Sequence, residues 1–118
     1  MVIEEREWAM LDLEVLKDLV GDEPEILCSL LEEYQASLRS LSLELWQPET
    51  EIARVQFCAH RLKSASRSVG ALPIGDWFAQ LEQAAKTADL TTIEQMRAQG
   101  PAAVAAVLAQ VEQALAGL

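Results

Sequence analysis

The segment AHRLKSASRSVGA, at positions 59–71, holds the side chains of this sequence that are best suited to chemistry. It contains His60, the single histidine of the chain, and Lys63 follows three positions later. The chain is acidic overall, with 9 Lys and Arg against 19 Asp and Glu, yet no acidic residue lies between Glu51 and Asp76. A neutral imidazole is a nucleophile, and a neighbouring ammonium group stabilises an anion attached to it. The segment therefore predicts a site where His60 meets an anion.

Helical geometry separates two faces of this segment. Each residue turns an α-helix by about 100°. The mainly apolar face is centred on Leu62, and its other members are Val55, Cys58, Ala59, Ala65, Ser66 and Val69. His60 lies about 160° away from Leu62, and four residues share its side: Gln56, Lys63, Ser64 and Arg67. We therefore expect His60 to be exposed to solvent among small, polar and basic residues.

Residues typical of helix starts and ends predict two helices before this segment. Asp12 is a suitable N-cap for a short helix that Gly21 ends. Pro24 then fits the first turn of a longer helix, in which apolar residues recur at intervals of three and four. The helix that carries His60 should begin between positions 48 and 51 and end near Val69.

The chain after this segment predicts two more helices. Gly70 supplies a left-handed stop, and a new helix should begin near Pro73. The run Thr91–Glu94 resembles a capping box for a last helix, which Gly100-Pro101 should kink or break. No segment alternates between apolar and polar residues for long enough to predict a strand. Because short connections favour antiparallel neighbours, we expect a single all-α domain over residues 1–118, an up-down antiparallel four-helix bundle with a short extra N-terminal helix.

Composition and motif content argue against several classes of function. A net charge of −10 repels nucleic acid and anionic lipid, and the longest apolar run, at residues 102–109, is shorter than the roughly 20 residues that a membrane span needs. No second His, Cys or carboxylate lies three or four positions from His60, and no glycine-rich phosphate-binding loop is present. We expect a cytoplasmic monomer with no nucleic-acid or membrane partner and no bound cofactor or metal.

Three motifs together carry a resemblance to a known family. They are Ala59-His60-Arg61-Leu62-Lys63-Ser64, then Gly70-Ala71, then Leu81-Glu82-Gln83-Ala84. In their order, and with the flanking helices, they resemble the histidine-containing phosphotransfer (HPt) domains of bacterial two-component phosphorelays. Two departures stand out: Ser64 replaces a glycine that is usual after the lysine, and Gly100-Pro101 interrupts what is often a long final helix.

The resemblance implies a function and assigns roles to residues. His60 would accept a phosphoryl group from a phospho-aspartate of a receiver domain and pass it to the aspartate of another receiver. Lys63 would neutralise the phosphoryl oxygens. The partner-binding residues would be Gln56, Phe57, Arg61, Ser64 and Arg67. The domain would be a phosphocarrier, not an enzyme, and Mg²⁺ would be held by its partner, a receiver domain of a response regulator or of a hybrid sensor histidine kinase.

Two other functions stay open on the sequence. The bundle could be a docking or scaffold module that binds an acidic partner through its basic face, without chemistry. It could also be an enzyme that uses His60 as a general base, which requires a pocket and a carboxylate near the imidazole. Because residues 52–75 contain no acid, such a carboxylate would have to come from another segment.

Overall fold

A computed structural model describes residues 5–118 of the protein. The described chain forms a single-turn helix and five longer ones: α1 (Glu5–Trp8), α2 (Leu13–Val20), α3 (Pro24–Leu45), α4 (Ile52–Ser68), α5 (Leu72–Lys86) and α6 (Leu90–Gly117). No strand occurs within this range, so the predicted all-α class is confirmed. No helix in the described chain is both long enough and apolar enough to span a membrane.

Helices α3 to α6 form the bundle. Helix α3 contacts α4 and α6, and α5 also contacts α4 and α6, which closes a ring of four. The connections from α4 to α5 and from α5 to α6 are residues 69–71 and 87–89, too short to lead back along a helix. Successive helices therefore run antiparallel, as predicted. Two short helices precede the bundle, one more than predicted: α2 packs against α3, and α1 packs against α5 and α6.

The core lies between the four bundle helices and fixes the rotation of α4. The predicted inner face of α4 is confirmed, since all its members are buried except Ala65, which is half-buried. Ser66 is the polar exception on this face, and its hydroxyl pairs with the hydroxyl of Tyr34 at 2.8 Å. Burial, slightly offset by this bond, raises the pKa of Tyr34 to about 12. With Leu62 fully buried, the opposite side of α4 must face solvent.

A single glycine both ends α4 and holds the start of α2. Asp12 caps α2 by accepting a hydrogen bond from the backbone N–H of Glu14, as predicted. The backbone N–H of Asp12 donates to the carbonyl oxygen of Gly70 at 2.9 Å. Gly70 has φ +87°, and a Cβ there would collide with the carbonyl oxygen of Asp12. The predicted left-handed stop is confirmed, and it also forms the junction with α2.

The start of α6 differs from the prediction. The capping box at Thr91–Glu94 is wrong, because Asp89 is the N-cap and α6 begins at Leu90. One carboxylate oxygen of Asp89 accepts from the backbone N–H of Thr92, and the other accepts from the Thr92 hydroxyl. Asp89 therefore satisfies the free donor at the third helical position, which leaves Thr91 inside the helix.

The predicted kink or break at Gly100-Pro101 is not a break, because α6 runs without interruption from Leu90 to Gly117 with Pro101 inside it. A proline inside a helix costs about 3 kcal/mol. Packing on both sides offsets this cost: Gly100 lies against the indole ring of Trp46, where any Cβ would overlap with the ring. The residues of α6 that reach the core beyond the proline include Ala103, Val104, Val107 and Val111.

Replacing Gly70 by Ala should destabilise the protein more than replacing Gly21 by Ala. Both glycines have positive φ, so either substitution strains the backbone by about 1–3 kcal/mol. A new Cβ has open space at Gly21, whereas at Gly70 it meets the Asp12 carbonyl, which should add about 1–3 kcal/mol. In urea titrations, the free energy of unfolding should be highest for wild type, lower for Gly21→Ala and lowest for Gly70→Ala. Equal values for the two variants would contradict a steric role for the Asp12–Gly70 junction.

Candidate functional site

The outer face of α4 presents His60 to solvent. Its side chain is 58% exposed, which confirms the orientation that the helical geometry predicted. Ser64 and Arg67 are exposed on the same side, and Gln56 is half-buried. The structure therefore brings together the residues that the sequence placed around His60.

A carboxylate from the neighbouring helix joins this face. Glu82, on α5, is only 7% exposed. One of its oxygens lies 2.7 Å from Nδ1 of His60, and the other accepts a hydrogen bond from Nζ of Lys63 at 2.6 Å. The Nζ of Lys86, one turn further along α5, lies 3.8 Å from the oxygen that faces His60. One buried carboxylate thus contacts three basic side chains.

The charge state of Glu82 fixes the tautomer of His60. Burial by itself would raise the pKa of Glu82, but hydrogen bonds from Lys63 and His60, with the charges of Lys63 and Lys86, hold the pKa below its usual value. An ionised carboxylate only accepts hydrogen bonds, so Nδ1 of a neutral His60 must carry the proton. The lone pair then resides on Nε2, which becomes the nucleophilic atom of the ring.

The roles of Glu82 and Lys86 were missed from the sequence, although a signal was present. Glu82 follows Leu81 and lies four positions after Phe78 and three before Ala85, all of them buried residues of α5. A carboxylate on a buried helical face needs cationic or donor partners. The acid-free stretch around His60 lies on the adjacent helix and contains such partners. The sequence could not specify that Glu82 would face His60.

Acidic side chains of neighbouring helices also bind two other cations of α4. Arg54 donates two hydrogen bonds to the carboxylate of Glu44 on α3, both at 2.8 Å. Arg67 donates to Asp76 on α5 at 3.1 Å. The α4 segment is basic in sequence, but its surface is a mixed array of ion pairs. Because these acidic partners offset the charges of Arg54 and Arg67, the positive potential of this surface is weaker than the sequence of residues 52–75 alone predicts.

An exposed aromatic ring lies one turn before His60. Phe57 is 45% exposed. The guanidinium carbons of Arg54 and Arg61 lie 4.7 Å and 5.7 Å from the centre of its ring. Cation–π contacts of this kind restrain the orientation of the ring. Phe57 and Arg61 therefore form a preorganised apolar and cationic surface beside His60.

The imidazole borders a shallow recess, not an enclosed pocket. The recess is lined by Ala53, Gln56, Phe57, His60, Glu82 and Lys86. A general-base enzyme requires a carboxylate near the imidazole and a pocket that surrounds a substrate. Glu82 meets the first requirement, but the exposure of His60 does not meet the second. Among residues 5–118, no group of three or more His, Cys, Asp or Glu side chains could hold a metal ion.

Comparison with known families bears on the same residues. A family model described as Hpt domain matches residues 25–117. The chain belongs to the Hpt family. Neither a curated protein nor a solved structure matches it. The matched range of this Hpt domain contains nearly all of α3 and the whole of α4, α5 and α6, whereas α1 and α2 precede it.

Family membership confirms the resemblance and gives the general activity. Hpt domains take part in phosphotransfer within two-component phosphorelays, as phosphocarriers that work with receiver domains or kinases and not as classical enzymes. The open site of this Hpt domain suits a macromolecular partner, because a carrier must present its histidine to another protein.

Replacing Glu82 by Gln should destabilise the Hpt domain at neutral pH and much less in acid. The variant loses charge-assisted hydrogen bonds to His60 and Lys63, worth about 1–3 kcal/mol. Because the pKa of Glu82 is lower in the folded state, its contribution is present above the ordinary value of 4.5 and is lost as the pH falls below it. The free energies of unfolding of wild type and variant, measured in urea, should therefore differ at about pH 7 and become nearly equal at about pH 3.

Glu112→Gln is the matched control for this measurement. Glu112 is 64% exposed, and its partner Arg39 is also exposed. The distance between the Arg39 guanidinium nitrogen and the Glu112 carboxylate oxygen is 3.4 Å. Such a surface pair contributes about 0–1 kcal/mol, so this variant should follow wild type at both pH values. A difference between wild type and Glu82→Gln that does not depend on pH would contradict the stabilising role of the ionised carboxylate.

Proposed function

We propose that this Hpt domain is a phosphorelay intermediate in which Nε2 of His60 carries the phosphoryl group. The observation that supports this is the 2.7 Å contact between Nδ1 of His60 and the nearly buried Glu82. It holds the ring in one orientation and places the lone pair on Nε2. A more than half-exposed imidazole in that state is a preorganised nucleophile for a group delivered by another protein.

Phosphoryl transfer to His60 conserves atoms and charge in a single displacement. The lone pair of Nε2 forms a bond to the phosphorus of a phospho-aspartate, and the bond from phosphorus to the aspartate oxygen breaks. The aspartate leaves as a carboxylate, and the imidazole retains its proton on Nδ1. The reverse displacement passes the group to the aspartate of a second receiver.

Charge neutralisation and positioning supply most of the catalysis in such transfers. Lys63 is one turn from His60 on the same side of α4 and 21% exposed, so its ammonium group lies within reach of a group bound to the imidazole. It would bind the phosphoryl oxygens. Mg²⁺ and the acidic residues that bind it would belong to the receiver, and this chain would hold neither. We keep a cytoplasmic location and a monomeric state as parts of the proposal.

The surface around His60 fits a receiver domain as partner. Phe57 with its two arginines would fill an apolar depression, while Gln56, Ser64 and Arg67 would border the contact. Serine in place of glycine at position 64 is exposed and small, so close approach is retained. Docking without transfer remains the competing function, because the same surface would also serve a binding module.

Transfer from a phosphorylated receiver tests the proposal. Receivers that carry a labelled phospho-aspartate are mixed with wild type and with His60→Gln in the presence of Mg²⁺. Wild type should take up an acid-labile, alkali-stable label, and His60→Gln should take up none. Lys63→Ala should slow uptake by about 100-fold, because a preorganised cation at the transferring group is lost.

Lys17→Ala is the control for removal of a lysine. Lys17 lies on α2 and pairs with Glu14 and Asp22, so its loss should leave the rate unchanged. Circular dichroism checks that each variant is folded. A wild-type protein that binds receivers but takes label from none of them would refute the carrier function and favour docking alone.

Replacing Phe57 by Ala should weaken receiver binding by about 1–3 kcal/mol, because an exposed aromatic anchor is removed. The dissociation constant is measured by isothermal titration calorimetry with the receiver that gives the fastest transfer. The matched control is Leu43→Ala, an exposed apolar residue that lies beside Trp46 and Pro101 on the α3–α6 side of the bundle. Equal affinities of wild type and Phe57→Ala would place the interface elsewhere.

A further inference from the structure

The carboxylate of Glu82 faces a conflict when His60 is phosphorylated. In the unphosphorylated protein, Glu82 accepts hydrogen bonds from His60 and Lys63. A phosphoryl group adds about 1.5 to 2 negative charges. Lys63 then has two anions to neutralise, and both lie within reach of its side chain. If Lys63 stays with Glu82, the phosphoryl group loses its cation.

Turning Lys63 towards the phosphoryl group creates a second difficulty. Glu82 would keep only the N–H of His60 as a direct partner, and it is 7% exposed, so water cannot replace the lost ammonium group well. A poorly neutralised carboxylate would also repel the phosphoryl oxygens on the same imidazole. The site needs another cation for Glu82 at that moment.

Lys86 is placed to supply that cation. It follows Glu82 by four positions on α5, where side chains of a helix meet. Its Nζ lies 3.8 Å from the oxygen of Glu82 that faces His60, within ion-pair range but beyond a short hydrogen bond. The side chain is 49% exposed and lines the same recess as His60, so a small movement brings it to full contact.

We propose that Lys86 is a positioning residue that takes over the neutralisation of Glu82 when Lys63 turns to the phosphoryl group on His60. This inference rests on His60 being the phosphoryl carrier. Lys86 acts through Glu82 and need not touch the phosphoryl group. Without Lys86, Lys63 stays divided between two anions, and phosphorylated His60 becomes less stable relative to the phospho-aspartate of the receiver.

The equilibrium of phosphoryl transfer with one receiver is the measurement that tests Lys86. The ratio of phospho-His60 to phospho-aspartate is read from labelled bands once it no longer changes. Lys86→Met should lower this ratio by about 5- to 20-fold. Lys86→Arg keeps the charge and should restore the ratio to within about twofold of wild type. Circular dichroism checks that each variant is folded.

A double-mutant cycle distinguishes action through Glu82 from direct contact with phosphate. In a Glu82→Gln background there is no carboxylate to neutralise, so adding Lys86→Met should change the ratio by less than about twofold. A loss of equal size in both backgrounds would overturn the proposal, because Lys86 would then act on the phosphoryl group directly. If Glu82→Gln takes no label, the comparison of Lys86→Met with Lys86→Arg tests the proposal. The proposal then requires that Lys86→Met lowers the ratio and that Lys86→Arg restores it.

Arg39→Met controls for overall charge. It removes one positive charge from α3, where Arg39 pairs with Glu112 on α6, and should leave the ratio unchanged. An equal loss in Arg39→Met would overturn the proposal in favour of a net-charge effect. An unchanged ratio of phospho-His60 to phospho-aspartate in Lys86→Met would refute the role of Lys86 but not the carrier function. A wild-type protein that no receiver labels would refute both.

Discussion

The bond from His60 to Glu82 is the interaction on which the site depends. It crosses the boundary between α4 and α5, joins an exposed ring to a nearly buried carboxylate, and determines which ring nitrogen is free to react. The same carboxylate holds Lys63 beside the ring. Its cost is the burial of a charge, which the three basic side chains around it offset. The remainder of the bundle keeps these two helices at the distance that the bond requires.

The bundle achieves this by fixing the rotation of α4 from its inner side. Leu62 is fully buried, and the hydroxyl of Ser66 is satisfied by Tyr34 from α3, so the helix cannot turn without losing both. At its end, Gly70 reverses the chain within three residues and accepts a hydrogen bond from Asp12. Because the buried face of α4 fixes the rotation of the helix, the opposite face, which carries His60, stays exposed to solvent.

Much of this architecture could be predicted from residue types and spacing, and the failures have physical causes. The rotation of α4 was predictable because periodicity within one helix places Leu62 inside and His60 outside. The partnership with Glu82 was not, since it depends on the register between two helices, which no local pattern encodes. Asp89 was overlooked as a cap because Thr91 and Glu94 offered a second motif. Pro101 was expected to kink or break α6, but the helix continues through it because tertiary packing outweighs the local preference.

The three-residue connection between α4 and α5 has a consequence for the order in which the protein folds. His60, Lys63, Glu82 and Lys86 all lie on this one helical hairpin, within 52–86. Contacts between residues so close along the chain form quickly, because little loop entropy is lost when they meet. The packing of α3 against α6 joins segments much further apart in sequence. These four residues would thus come together in a local folding step, before the bundle closes around them.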